Sequence, residues 1–166
     1  MEVVEQIKRD GIQYNLCRLY QAKLKQDLSV KDLADLYFRG MDFCVEHDFP
    51  TVQFMKEHFK GRSEQYGVYV EDQAVKSRNQ SHVVMIGDCN GELEYDGFSV
   101  SRVYIRHTSK AKIMVLGYAN LSVDIYDNAQ LAIAVAGSKA KVLVNVYGNA
   151  KIHSTGKVKI NYKNND

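Results

Sequence analysis

From Ser109 to Tyr162 apolar and polar positions alternate with period two, in six segments that share one short phrase: Ser109-Lys-Ala-Lys-Ile-Met-Val, Gly117-Tyr-Ala-Asn-Leu-Ser-Val, Asp127-Asn-Ala-Gln-Leu-Ala-Ile, Ser138-Lys-Ala-Lys-Val-Leu-Val, Gly148-Asn-Ala-Lys-Ile-His-Ser and Gly156-Lys-Val-Lys-Ile-Asn-Tyr. Each is a turn residue, a variable residue and a small apolar residue, followed by alternation. Such alternation between turn signals predicts half-buried strands. The third residues of the phrases are Ala111, Ala119, Ala129, Ala140, Ala150 and Val158, with Phe98 as a possible earlier member. Adjacent members are unevenly spaced, whereas alternate members lie 18 or 21 residues apart. The repeating unit is therefore two strands.

A two-strand unit predicts two sheets. One stacks Ala111, Ile113 and Val115 over Ala129, Leu131 and Ile133, then over Ala150 and Ile152. The other stacks Ala119, Leu121, Val123 and Ile125 over Ala140, Val142, Val144 and Val146, then over Val158 and Ile160. Tyr126 falls over Tyr147 and Asn128 over Asn149 at one corner. This is the pattern of a short β-solenoid, in which a coil buries its apolar positions by stacking on its neighbours. An antiparallel β-meander or sandwich is the alternative, because Asp127-Asn128 and Gly148-Asn149 also suit hairpins. A meander, however, does not require side-chain identity to recur at every second strand.

The N-terminal third has the helical period instead. Ile12, Leu16, Leu19, Tyr20 and Leu24 recur at intervals of three and four, with Gly11 expected to separate them from a short opening helix. Ser29 with Asp32 predicts a helix start, and Leu33, Leu36, Tyr37, Met41, Cys44 and Val45 predict one helix from about Val30 to His47. Pro50 breaks it and suits the first turn of another, with Val52, Met55 and Phe59 on one side and Gly61 as the stop. Between helices and repeats, Gly67-Val-Tyr-Val-Glu and His82-Val-Val-Met-Ile predict two strands joined by a polar loop. The expected organisation is α+β: a helical domain over 1–64, a transitional β segment over 65–97 that caps the solenoid, and the β-solenoid over 98–166.

Composition refines this only slightly. One proline, no tryptophan and eleven tyrosines favour β-structure, and a net charge of +2 implies no particular partner. Cys17, Cys44 and Cys89 are odd in number and lack metal-ligand spacing, which argues against a disulfide framework and a structural zinc and for a cytoplasmic location. Met1 to Asp10 holds five charged side chains and no apolar run, so no signal peptide is expected there. No run of about 18 apolar residues suggests a membrane span.

Catalytic and metal signatures are weak. Spacings of eight to eleven between adjacent phrases do not fit hexapeptide acyltransferases, and a calcium β-roll needs an aspartate at each turn where only Asp127 stands at such a corner. His47, His58, His82, His107 and His153 form no metal-ligand pair. Asp42, Glu46 and Asp48 read as a solvated helix face. Helices flanking Pro50 faintly suggest a DNA reader through Thr51, Gln53, Lys56 and His58, with Lys60 on phosphate, although the acidic residues nearby oppose it. After Asp127 the next acidic residue is Asp166, while Lys139, Lys141, Lys151, Lys157, Lys159 and Lys163 lie between. These make a basic tip divided between the sheets, with Lys141 and Lys159 on one and Lys151 stacked with Gln130 and Lys112 on the other. It suits an acidic partner or nucleic acid, or serves to discourage strand addition, which is favoured.

Tyr126-Asp-Asn-Ala, Tyr147-Gly-Asn-Ala and Gly117-Tyr-Ala-Asn resemble the Ala/Gly/Asn-punctuated β-repeats of uncharacterised phage and mobile-element proteins, and more loosely phage tail and adhesin-type solenoids. The resemblance spans about Phe98 to Tyr162. It implies a non-enzymatic structural or interaction role, with oligomers, in the cytoplasm or on a virion. The expectation is thus a scaffold without cofactor or metal that forms homo-oligomers or binds another protein, through Asn120, Tyr126, Lys141, Tyr147, Lys151 and Lys159. A DNA-binding regulator using the N-terminal helices and an enzyme of unrecognised type are the alternatives.

Overall fold

The structure, a computed structural model, describes residues 2–163. Met1 and Asn164 to Asp166, including the aspartate that closes the lysine run, lie outside the described residues. The chain divides into two compact units, Met1–Tyr66 and Gly67–Asp166.

The first unit is built from five helices: α1 Glu2–Ile12, α2 Arg18–Lys23, α3 Val30–Arg39, α4 Met41–His47 and α5 Val52–His58. The Ser29 hydroxyl accepts from the Asp32 N–H at 3.1 Å, and the Asp32 carboxylate accepts from the Ser29 N–H at 3.0 Å. This reciprocal cap starts α3 and holds the Asp32 carboxyl below the ordinary aspartate range. Thr51 caps α5 the same way, accepting from the Phe54 N–H at 3.1 Å. Two expected helices are each divided. The 30–47 helix breaks at Gly40, where α3 ends and α4 begins. The 12–24 helix does not form: α1 runs through Gly11, the chain turns at Asn15 with φ 64°, and Ile12 and Leu19 are 47% and 62% exposed. Glycine weakens a helix without forbidding it, whereas an asparagine in the left-handed region ends one. The described apolar burial of this unit falls on residues such as Val4, Leu33, Ala34, Tyr37, Met41, Phe54 and Met55.

The second unit is a β-solenoid of about five turns. Its strands are β1 Val68–Val70, β2 Val75–Arg78, β3 His82–Ile86, β4 Asn90–Tyr95, β5 Val100–Ile105, β6 Lys110–Val115, β7 Asn120–Ile125, β8 Gln130–Val135, β9 Lys141–Val146, β10 Lys151–Thr155 and β11 Lys159–Tyr162. Odd strands form one sheet in the order β1-β3-β5-β7-β9-β11, and even strands the other, β10-β8-β6-β4-β2. Every pairing is parallel, so the meander and sandwich alternatives fall. The segment 65–97, expected to cap the stack, supplies β1 to β4 and is itself coiled. Its coils escape the phrase arithmetic because the small third residue is Cys89 in one case and missing in others.

Register departs from the expected stacks in two places. Ala111 pairs with Leu131 and Ile113 with Ile133, not with Ala129 and Leu131. Ile160 lies beside Val144, not Val142. Both are slips of two residues, caused by corners of unequal length. A slip of two preserves the inward face where a slip of one would invert it, so the residues expected inside are inside. They form one core between the sheets, with Val83, Val103, Val123 and Val144 in one column, each fully buried.

Corners explain the turn residue of the phrase. After the odd strands, Gly87, His107, Asp127 and Gly148 stand at φ 78°, 59°, 58° and 64°. One residue per corner takes the left-handed region, which glycine, aspartate and asparagine tolerate best. His107 and Asp127 each reach back to the coil before: Nδ1 of His107 accepts from the Gly87 N–H at 2.8 Å, and Oδ2 of Asp127 from the His107 N–H at 2.9 Å.

The register makes opposite demands on two neighbours. Val144→Asp puts a charge into a fully enclosed column in place of an aliphatic group worth about 1.5–3 kcal/mol of burial, and is expected to unfold the solenoid. Lys141→Asp, on the outer face, is expected to leave the melting temperature nearly unchanged. Circular dichroism melts of the two variants check this; equally mild effects would refute the register.

Candidate functional site

With the inner faces committed to the core, the solenoid can meet other molecules at the outer face of each sheet and at the end of the stack formed by β10 and β11.

The outer face of the odd sheet passes from apolar on β3 to polar on later strands. Asp124, 3% exposed, anchors a ladder across coils. Arg102 Nη2 donates to one of its oxygens at 3.1 Å, Asn145 Nδ2 donates to the other at 2.8 Å, and Asn161 Nδ2 continues to Asn145 Oδ1 at 3.4 Å. The Arg102 guanidinium also lies 5.3 Å from the Tyr104 ring centre, a distance at which cation and ring face attract. Farther along the strands Tyr126 and Tyr147 stack at 4.8 Å with planes 17° apart. At the other end Phe98 and Tyr118 stack at 4.8 Å and 9°, and both are exposed.

The outer face of the even sheet carries a trough of about 750 Å³. One end is a charge ladder in register, Lys76 beside Glu92 beside Lys112. Ala132 and Ala134 on β8 form a low floor between Met114 on one side and His153 and Thr155 on the other. At the rim Asn79 Nδ2 donates to Asp96 Oδ1 at 2.6 Å, and Arg78 pairs with the second oxygen. These contacts hold the Asp96 carboxyl below its usual range. The trough is shallow, and Ser77 and Arg78 of its lining are engaged with Gln80 and Asp96.

The end of the stack differs from both. β10 and β11 are edge strands, each paired on one side only among the described residues. Ile152, Val158 and Ile160 are partly buried, whereas their counterparts one coil earlier, Leu131, Val142 and Val144, are 3%, 7% and 0% exposed. Tyr162, beside buried Val146, is 72% exposed. Parallel pairing turns alternate N–H groups toward one neighbour. Lys151 donates to Ala129 and Lys163 to Val146, both toward the stack, so the N–H groups of Ile152, Ser154, Ile160 and Tyr162 face outward.

The expected binding residues do not share one surface. Asn120 and Lys141 are exposed neighbours in register, but Lys159 lies beside Leu143 and not beyond Lys141. Tyr126 is 8% exposed and offers little area. Lys151 belongs to the other sheet, beside Gln130, and the column continues to Lys110 where Lys112 was expected. Arg102, Asp124 and Asn145 escaped the sequence reading, although Asp124 and Asn145 sit in the same spacing that joined Tyr126 to Tyr147.

Other candidates are occupied structurally. On α5 Gln53 donates to Glu57 at 2.8 Å and the His58 ring lies 4.5 Å from that of Phe54. Three of the proposed DNA contacts, Thr51 included, thus serve their own helix. Cys17, Cys44 and Cys89 form no disulfide among the described residues, and burial pushes the Cys89 thiol up, away from the reactive thiolate. A pocket of about 310 Å³ in the helical unit is lined by Tyr14, Phe49 and Phe54 with Asp10 and Asp48. Among the described residues no His/Cys/Asp/Glu group could hold a metal ion, and no helix is long and apolar enough to cross a membrane.

No family model, curated protein or solved structure matches the chain.

Two measurements probe these ladders. Arg102→Ala leaves a nearly enclosed carboxylate with Asn145 as its one remaining partner of the pair and is expected to cost about 1–3 kcal/mol in urea unfolding. Asp96 has a depressed folded pKa, so its stabilising effect is present above the unfolded value of about 3.9 and disappears as pH falls through the lower folded value. Carboxyl titration by NMR should show Asp96 titrating low and Asn79→Ala returning it toward the ordinary range.

Proposed function

We propose that this protein is a non-catalytic interaction protein, a β-solenoid scaffold whose last described coil, β10 with β11, receives another protein chain. The observation that carries the reading is the contrast between the final coil and the one beneath it. Ile152, Val158 and Ile160 continue columns that are fully enclosed elsewhere, next to two strand edges with outward N–H groups. An added strand would satisfy those groups and cover the apolar residues at once, which is how strand addition derives affinity and specificity from one contact. The Ala/Gly/Asn-punctuated phrases, similar to those of phage tail and adhesin-type solenoids, support a structural role. Homo-oligomerisation is the form of this reading in which the added chain is a second copy.

Proline at an outward N–H tests the reading, since it removes the donor without touching a bond inside the stack. Full-length protein, Ser154→Pro, Tyr162→Pro and the trough variant Glu92→Lys are compared for binding to material from the native source and for mass by light scattering. A partner or self-association retained by Glu92→Lys and lost in the proline variants, with melting temperatures unchanged, is expected. Association indifferent to both prolines would overturn the reading. Retention on duplex DNA that Lys56→Glu abolishes would replace it with the DNA-binding one.

A further inference from the structure

We infer that the chain received by the final coil is an acidic, extended segment of about five residues that adds to β10 as one more strand; this rests on the docking reading above.

Charge decides between occupants. In the earlier coils, charges meet their opposites across the stack: Glu92 lies between Lys76 and Lys112, Asp96 pairs with Arg78, and Asp124 pairs with Arg102. From Asn128 to Lys163 there is no acidic residue at all, while Lys139, Lys141, Lys151, Lys157, Lys159 and Lys163 fall in that span, and all six are exposed. None of the six forms an ion pair among the described residues. Two lie on the edge strands themselves, Lys151 opening β10 and Lys159 opening β11, and Lys157 lies in the corner between them. Coils are about 4.8 Å apart, so Lys139 and Lys141 are about one coil below the edge. At that distance charges at a surface attract or repel appreciably.

A second copy docked on a two-fold axis would set these lysines against themselves. Edge lysines are a recognised means of discouraging like strands, and the same field attracts a strand of opposite sign. The alternation of β10 then specifies the segment. Lys151, His153 and Thr155 point outward, whereas Ile152 and Ser154 point inward. A matching strand carries carboxylates at its outward positions, beside Lys151, and aliphatic side chains at its inward ones, over Ile152. Lys110, Gln130 and Lys151 form one outward column, which lengthens the basic track that the first carboxylate meets.

The test uses the full chain and labelled peptides in fluorescence anisotropy at low salt, with hydrogen exchange of the bound state. The probes are an alternating Glu/Val/Ile five-residue segment with neutral flanks, the same segment with Lys for Glu, the acidic segment with a central Pro, and a single-stranded oligonucleotide of equal charge. The acidic strand is expected to bind about tenfold or more tightly than the basic one and to protect the amides of Ile152 and Ser154. Lys151→Glu with Lys159→Glu, both exposed, should weaken it by about tenfold without altering the melting temperature, and Ser154→Pro should remove the protection.

Equal binding of the Pro-containing peptide or the oligonucleotide, without amide protection, would mean general attraction of polyanions and would overturn the strand assignment. Equal binding of the basic peptide, or none by the acidic one, would overturn the charge assignment. If a native partner is lost in Ser154→Pro while the acidic peptide fails to bind, the docking reading stands and the acidic identity falls. If the partner ignores Ser154→Pro but not Tyr162→Pro, the assignment to β10 falls, and if it ignores both, the docking reading falls as well.

Discussion

The solenoid depends on parallel coil-on-coil pairing held at a near-constant period, with strand partners 20 or 21 residues apart through its centre. Each residue then has a like neighbour above and below, and one column serves several strands: Val83, Val103, Val123 and Val144 end in Ile160. Such a column buries aliphatic groups against each other at about 4.8 Å steps. It also brings backbones into close approach at some corners. A Cβ at Gly137 would come within 2.5 Å of the Gly117 oxygen, so the backbone there is as close as the stack allows.

The same constraint governs the outside. Because register is fixed, outward side chains also form columns, and chemistry is placed in rows. Arg102, Asp124 and Asn145 become a hydrogen-bonded ladder, Tyr126 and Tyr147 a stack, and Lys76, Glu92 and Lys112 an alternating row. Repetition is favourable until the repeat stops. At the last described coil the columns have one neighbour in place of two among the described residues, and the last strands combine partly exposed aliphatics with lysines that form no ion pair there. A stack of nearest-neighbour contacts is always least stable where it ends. That is where strand edges and opposite charge can attract another chain.

How far the chain could be read from its sequence follows from the same physics. The two-sheet coil was legible because the period-two pattern is interrupted by corners, several of which carry a left-handed residue that the sequence marks: Gly117, Asp127 and Gly148 all stand at positive φ. The capped start of α3 was legible because Ser29 and Asp32 interact over three residues. Register was not, since corners of unequal length move partners by two without changing which face is apolar, as Ile113 and Ile160 show. The first coils were missed because β1 and β2 pair at a shorter interval, Val68 with Val84 and Val75 with Gly91. Gly91 itself is explained only by that pairing, for a Cβ there would meet Val75 Cβ at 2.5 Å.

By itself, then, the sequence determined the class of each half, the alternation of inside and outside, the corner residues and the basic character of the last coil, because each depends on neighbours a few residues apart or on composition. The tertiary structure decided which rungs touch. It joined Asp124 to Arg102 and Asn145, moved Lys159 out of the Lys141 column, broke the two long helices at Asn15 and Gly40, and left β10 and β11 as edges among the described residues. Those outcomes depend on lengths summed around a whole coil and on backbone geometry at single corners, which no local pattern encodes.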